Sequence, residues 1–188
     1  MAALQHRAVK SLLAALTLLA APATGRAEAA ATEYELKAAF LYNFTKFVEW
    51  PAAAFHDDRS SLRLCVLGED PFGGSLQAIA KEEVAGRKVT VLRSDLLSDP
   101  SGCQILFVSR SEEGRLTAIL EAVRDAPVLT VGEMEGFLEV GGIINFILQG
   151  SKVRFEINQE SAERAGIKIS SKLLRLATRV VSEARKGG

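Results

Sequence analysis

Apolar positions along the chain follow two rhythms. Between Glu33 and Trp50 they recur at helical spacing: Leu36, Phe40, Phe44 and Phe47 form one stripe, flanked by Tyr34, Leu41 and Val48. This predicts a helix that stops before Pro51, because a proline pushes its predecessor out of the helical region. The apolar arc is about 160° wide, broader than the roughly 100° that packing on one core requires, so cover on two sides is expected. Six of the twelve aromatic residues lie in this segment, and Tyr42 falls off the stripe. A partner-facing or self-associating surface is therefore the alternative to core packing here.

Beyond Pro51 the rhythm changes to short apolar runs. Leu62 to Leu67, Val89 to Leu92, Ile105 to Val108 and Val128 to Val131 lack clean polar alternation, as strands covered on both faces do. Between them fall helical stretches, one from the Gly68 to Ser75 turn to about Ala80 and one over Glu112 to Val123. Then Ile143 to Leu148, the turn at Gln149-Gly150-Ser151 and Lys152 to Ile157 read as a β-hairpin. Its second strand alternates Val153, Phe155 and Ile157 with Lys152, Arg154 and Glu156, which places it nearer an edge. A short helix from Glu160 to Ala165 ends at Gly166, Ile167 to Ile169 is extended, and Ser171 to Lys186 reads as a last amphipathic helix. The expected fold class is α/β: a largely parallel central sheet covered by helices on both faces, with a C-terminal β-hairpin and a terminal amphipathic helix.

The N-terminus does not belong to that pattern. His6, Arg7 and Lys10 precede an apolar run from Ser11 to Ala21, about eleven residues against the roughly 20 that span a bilayer, so residues 1–29 read as a secretory signal peptide. Cleavage after Ala27 or Ala29 satisfies the small-x-small rule, and an uncleaved anchor is the alternative. No cysteine follows the run, which argues against a lipoprotein. The remainder, 30–188, is one domain. It carries 20 basic and 22 acidic side chains and no basic block, so nucleic acid is excluded as a partner. Export to the periplasm also makes Cys65 and Cys103 a disulfide, since two thiols in an oxidising space usually pair.

Catalytic chemistry finds little support. His56 is the one histidine after the leader, and zinc takes three or four ligands. No serine lies in a G-x-S-x-G elbow. Gly68-x4-Gly73-Gly74-Ser75 comes close to a phosphate-binding loop, but Gly74 stands where that loop needs lysine. What survives is a helix N-terminus that could hold an anion or small polar ligand. No catalytic residue, metal site or cofactor is expected.

Tyr34-Glu-Leu-Lys-Ala-Ala-Phe-Leu-Tyr-Asn-Phe-Thr-Lys-Phe-Val-Glu-Trp-Pro51 resembles the opening of the YfiR-like family of periplasmic regulators. So do Gly141-Gly-Ile-Ile-Asn-Phe146, Val153-Arg-Phe-Glu-Ile-Asn158 and Gly166-Ile-Lys-Ile-Ser-Ser-Lys-Leu-Leu-Arg-Leu-Ala177, with Leu64-Cys-Val-Leu-Gly68 and Gly102-Cys-Gln-Ile-Leu-Phe-Val108 between them. The resemblance implies a non-enzymatic repressor, often dimeric, that binds the periplasmic sensor part of an inner-membrane diguanylate cyclase of the YfiN type and lowers cyclic di-GMP and biofilm formation. It also implies an outer-membrane lipoprotein of the YfiB type as a second partner. Cys65 and Cys103 match one family disulfide, and a second pair around the C-terminal hairpin is absent here. For partner contacts the resemblance points to the C-terminal part. The residue pattern nominates Ile167, Ile169, Leu173, Leu174 and Leu176 there, with Lys168 and Ser170 as small-ligand contacts. A periplasmic small-ligand sensor is the alternative function.

Overall fold

The computed structural model describes residues 24–57, 59–95 and 100–182, with side chains from Thr32 onward. The leader predicted over 1–29 falls outside these residues, apart from the stretch from Thr24 that opens the first helix. The elements are α1 (Thr24–Phe47), β1 (Val48–Glu49), β2 (Leu62–Leu67), α2 (Ser75–Ile79), β3 (Glu83–Val84), β4 (Arg87–Ser94), β5 (Ile105–Val108), α3 (Leu116–Ala122), β6 (Leu129–Gly132), β7 (Ile144–Gln149), β8 (Lys152–Asn158), α4 (Gln159–Arg164), β9 (Lys168–Ile169), α5 (Ser171–Leu176) and β10 (Val180–Val181).

Eight strands form one sheet in the order β10-β8-β7-β6-β5-β2-β4-β3. The pairs from β4 through β7 are all parallel, the β7–β8 hairpin is antiparallel, and β10 lies parallel to β8. All four residues of β5 and of β6 are buried, as strands with helices on both faces must be. Two apolar cores result. One lies under α1, α2, α4 and α5 and centres on Phe44, Phe107, Phe146 and Phe155. The other lies on the opposite face and joins α3 to Leu106, Phe137 and the two cysteines. The expected α/β class, with its covered, mainly parallel sheet, is what the chain forms.

The α1 stripe is rotated from the expected one. Phe44 and Leu41 are fully buried and Phe40 stacks among Phe44, Phe146 and Phe155, but Leu36 is 45% exposed while Lys37 is 4% exposed. The helix also ends earlier. Val48 and Glu49 leave it to pair with Ile169 and Lys168, and Trp50 donates from Nε1 to the Gln104 carbonyl at 3.1 Å.

The terminal helix is shorter than its periodicity predicts. α5 stops at Leu176, Ala177 turns extended, and Val180 and Val181 pair with Ile157 and Asn158. Thr178 donates from both its backbone N–H and its hydroxyl to the Phe155 carbonyl, and Arg179 forks onto Glu156. Those bonds satisfy edge groups of β8 that a continued helix would leave unpaired. Residues 183–186 of the predicted helix lie outside the described residues.

Candidate functional site

Cys65 on β2 and Cys103 before β5 are joined, with Cα atoms 6.0 Å apart, and both are buried in the second core. The bridge ties adjacent parallel strands on the face away from α1. Its sulfurs are spent on architecture, so no thiolate is left for nucleophilic or metal chemistry.

A charged cluster that the sequence reading missed sits where β5 and β6 end. Glu133 follows β6 directly and Lys37 comes from the buried side of α1; both side chains are 4% exposed and ion-paired. Lys37 also pairs with Glu33 one helical turn earlier, and Tyr34 donates its hydroxyl to Glu133 Oε1 at 2.8 Å. Arg110, just past β5, donates to the Glu133 carbonyl at 2.8 Å. Burial, and then the negative charge of Glu133, push the Tyr34 hydroxyl well above its ordinary value. A lysine next to Ala38 and one helical turn before Leu41, and a glutamate directly after the buried strand Leu129-Thr130-Val131-Gly132, were the available signals. Carboxyl ends of parallel strands are where such sheets build sites.

This cluster forms one wall of a pocket of about 440 Å³ whose other walls are Asn145 to Leu148 on β7 and the Glu156, Glu139 and Arg179 group. The hydrogen bonds that Arg179 donates to Glu156 and Glu139 raise its guanidinium above its ordinary value, while a backbone amide and Arg179 hold Glu139 below its own. Arg179 falls within the terminal helix expected over Ser171 to Lys186; the turn into β10 brings it instead against Glu156 and Glu139.

Four amides of the Gly68 to Ser75 turn are engaged within the fold: Gly68 N–H donates to the Ser94 carbonyl, Glu69 N–H to Ser111 Oγ, Phe72 N–H to Asp70 and Ser75 N–H to the Phe72 carbonyl. Gly68, at φ +88°, packs so closely on Ser111 and Glu112 that no side chain fits there. The later part of the turn instead borders a groove of about 800 Å³ between α1 and α2, floored by Ala38, Tyr42, Phe72 and Ile79 with Glu35 and Glu82 among its lining. Tyr42 donates to Glu82 Oε2 at 3.2 Å across it. His56 is exposed in its loop. Among the described residues no group of three or more histidine, cysteine or carboxylate side chains is placed to hold a metal ion.

The C-terminal strip divides between core and surface. Ile167 and Leu173 are buried in the first core, Ile169 and Leu174 are half-buried against it, and Leu176 is 64% exposed. Lys168 projects from β9 opposite Glu49. The Ser170 hydroxyl accepts from Leu173 N–H as the N-cap of α5, and its own N–H donates to the Phe47 carbonyl.

The profile of the YfiR/HmsC-like family matches residues 34–178. The chain belongs to that family. YfiR/HmsC-like proteins are periplasmic regulators linked to diguanylate cyclases, a regulatory rather than a catalytic family. Among the described residues no helix is long and apolar enough to cross a membrane. The fold is similar to the crystal structure of a conserved domain protein from Vibrio cholerae, with TM-score 0.50, 15% identity and 78% of this chain covered. This YfiR/HmsC-like chain spans 60% of the length of that one. A further similarity is to the ABC domain in complex with L-Trp from Streptococcus pneumonia, at TM-score 0.47 and 12% identity over 65% of this chain and 55% of that one.

Proposed function

We propose that this chain is a periplasmic repressor that binds the sensor part of an inner-membrane, YfiN-type diguanylate cyclase and holds the enzyme inactive. A YfiB-type outer-membrane lipoprotein relieves it by sequestration, and the working form is a homodimer. The family match over 34–178 carries this reading. It is supported by the exposed apolar Leu176 and Val180 and the half-buried Ile169 and Leu174 in the C-terminal part, apolar surface that a partner could cover. Repression by binding alone requires a preference for the inactive conformation, since equal affinity for both states shifts nothing.

The test is deletion of the chain with measurement of cyclic di-GMP, followed by complementation. Cyclic di-GMP should rise, wild type should restore it, and Leu176→Asp should not restore it while keeping the wild-type melting temperature. An unchanged cyclic di-GMP level in a strain that normally expresses the protein would sink the proposal.

A second reading, a small-ligand sensor, draws support from the α1–α2 groove, whose volume is in the range of ligand pockets. It differs by requiring a metabolite-specific thermal shift without any protein partner. In that reading Lys168 and Ser170 are contacts to a separate polar ligand, and Ser170→Ala would abolish its shift.

A further inference from the structure

β7 outruns β6. The β6–β7 ladder ends at Gly132 opposite Asn145, whereas β7 continues to Gln149, and among the described residues no strand lies beside 146–149 on the side away from β8. Asn145 is the cause. Its Oδ1 accepts from Met134 N–H at 3.1 Å and its Nδ2 donates to the Met134 carbonyl at 3.0 Å, so the chain is drawn out of the lane where β6 would have continued.

The hairpin geometry says which groups are left facing that lane. Gly150 and Ser151 form a two-residue turn between Gln149 and Lys152, with Gly150 at φ +61° as such turns require. The residues flanking a two-residue turn are a hydrogen-bonded pair, and bonded pairs alternate along an antiparallel ladder. Asn145, Ile147 and Gln149 therefore spend their main-chain groups on β8. The bond from Asn158 N–H to the Ile143 carbonyl, 2.7 Å, keeps the same alternation. The N–H and C=O of Leu148 and the C=O of Phe146 point the other way.

Other open stretches of the sheet's rim are guarded by charge: Arg93 on β4 is ion-paired there, and Lys152 and Arg154 lie on β8. Residues 146–149, Phe-Ile-Leu-Gln, carry no charge, and Leu148 is 54% exposed. The lane opens into the 440 Å³ pocket, where five carboxylates face three bases. Lys37 and Arg179 are each tied to two carboxylates, while Glu135 is exposed and makes no ion pair among the described residues. The slot thus combines unpaired backbone, an apolar side chain and surplus negative charge.

The geometry points to strand addition: the lane beside Phe146–Gln149 takes one extended segment of a protein partner, its main chain bonded to Leu148 and a lysine or arginine beside Glu135. This deepens the repressor reading, on which it rests for the identity of the partner, by giving that partner a directional anchor separate from the C-terminal strip.

The probe is a fluorescein-labelled heptapeptide, Thr-Val-Lys-Val-Arg-Val-Thr, titrated by fluorescence anisotropy against the full domain, with a Glu-for-Lys/Arg copy as control. Leu148→Pro deletes the outward N–H without touching a β8 bond, a position where sheets tolerate proline; Leu148→Ala keeps the N–H. Wild type should bind the basic peptide, Leu148→Pro and Glu135→Lys should each weaken it about tenfold or more, and Leu148→Ala should weaken it less than Leu148→Pro. Hydrogen exchange on wild type decides the matter whatever the variants' stability: the Leu148 amide should gain protection when peptide is added. Unchanged exchange at Leu148, or equal binding of the acidic copy, overturns the slot. In the cyclase assay, a folded Leu148→Pro that represses as wild type does counts against the slot alone, whereas a wild-type chain that never represses counts against the repressor reading alone.

Discussion

Replacing Glu133 by glutamine keeps the side chain's shape and its ability to accept from Tyr34, but removes the charge that faces Lys37. Both members of the pair are 4% exposed, so the ammonium would keep one partner, Glu33, which is 24% exposed. Removing one member of a buried pair costs about 3–5 kcal/mol, and the remaining partner puts this case at the low end, about 3 kcal/mol. For a domain of this size that is a fall in melting temperature of roughly 6–12 °C. Urea denaturation followed by circular dichroism would read it directly, with the slope unchanged. The double variant Lys37→Met/Glu133→Leu removes both charges and should recover to within about 1 kcal/mol of wild type, because the desolvation of two ions is then no longer demanded. If Glu133→Gln costs less than about 1 kcal/mol, water reaches Lys37 and the account of α1 being locked to β6 by a buried charge is wrong.

Cys65→Ala/Cys103→Ala releases a loop with sequence separation 38, for which the chain-entropy model gives a loss of about 4 kcal/mol, seen as a lower denaturation midpoint equal to that of reduced wild type. Gly142→Ala would place its Cβ 2.2 Å from the buried Phe137 ring and 2.7 Å from that residue's backbone oxygen, so about 3 kcal/mol of stability should be lost, and a variant as stable as wild type contradicts the close packing described. Tyr34 is neutral over a wider range folded than unfolded, its ordinary value being 10.0. The raised folded value means that its contribution is complete below pH 10 and is lost as pH rises beyond it; Tyr34→Phe should flatten the alkaline limb of the stability profile. Identical alkaline limbs would remove Tyr34 from the cause.

Local pattern was enough for most of the architecture. β5 is apolar throughout because both its faces are covered, and the runs at β2 and β6 are interrupted only by Arg63 and Thr130, a property visible in the residues themselves. The hairpin was equally plain, since a glycine turn between two alternating segments has few other uses. The same holds for the bridge between Cys65 and Cys103, which needs only two thiols and an oxidising compartment.

What the pattern could not show depended on which distant residues meet. Leu173, Leu174, Leu176, Val180 and Val181 have the spacing of one helix face, yet the backbone demand of the β8 edge converts the last two into a strand and leaves Leu176 in solvent. Lys37 is buried on α1 only because Glu133, 96 residues away, supplies its counter-charge. Periodicity located the layered sheet and the segments that carry the helices, but not which side chains are covered or by what. The charged pocket and the open lane beside β7 arise only when β6 ends early against Asn145, a contact between the β7 strand and the segment after β6 that no local signal encodes.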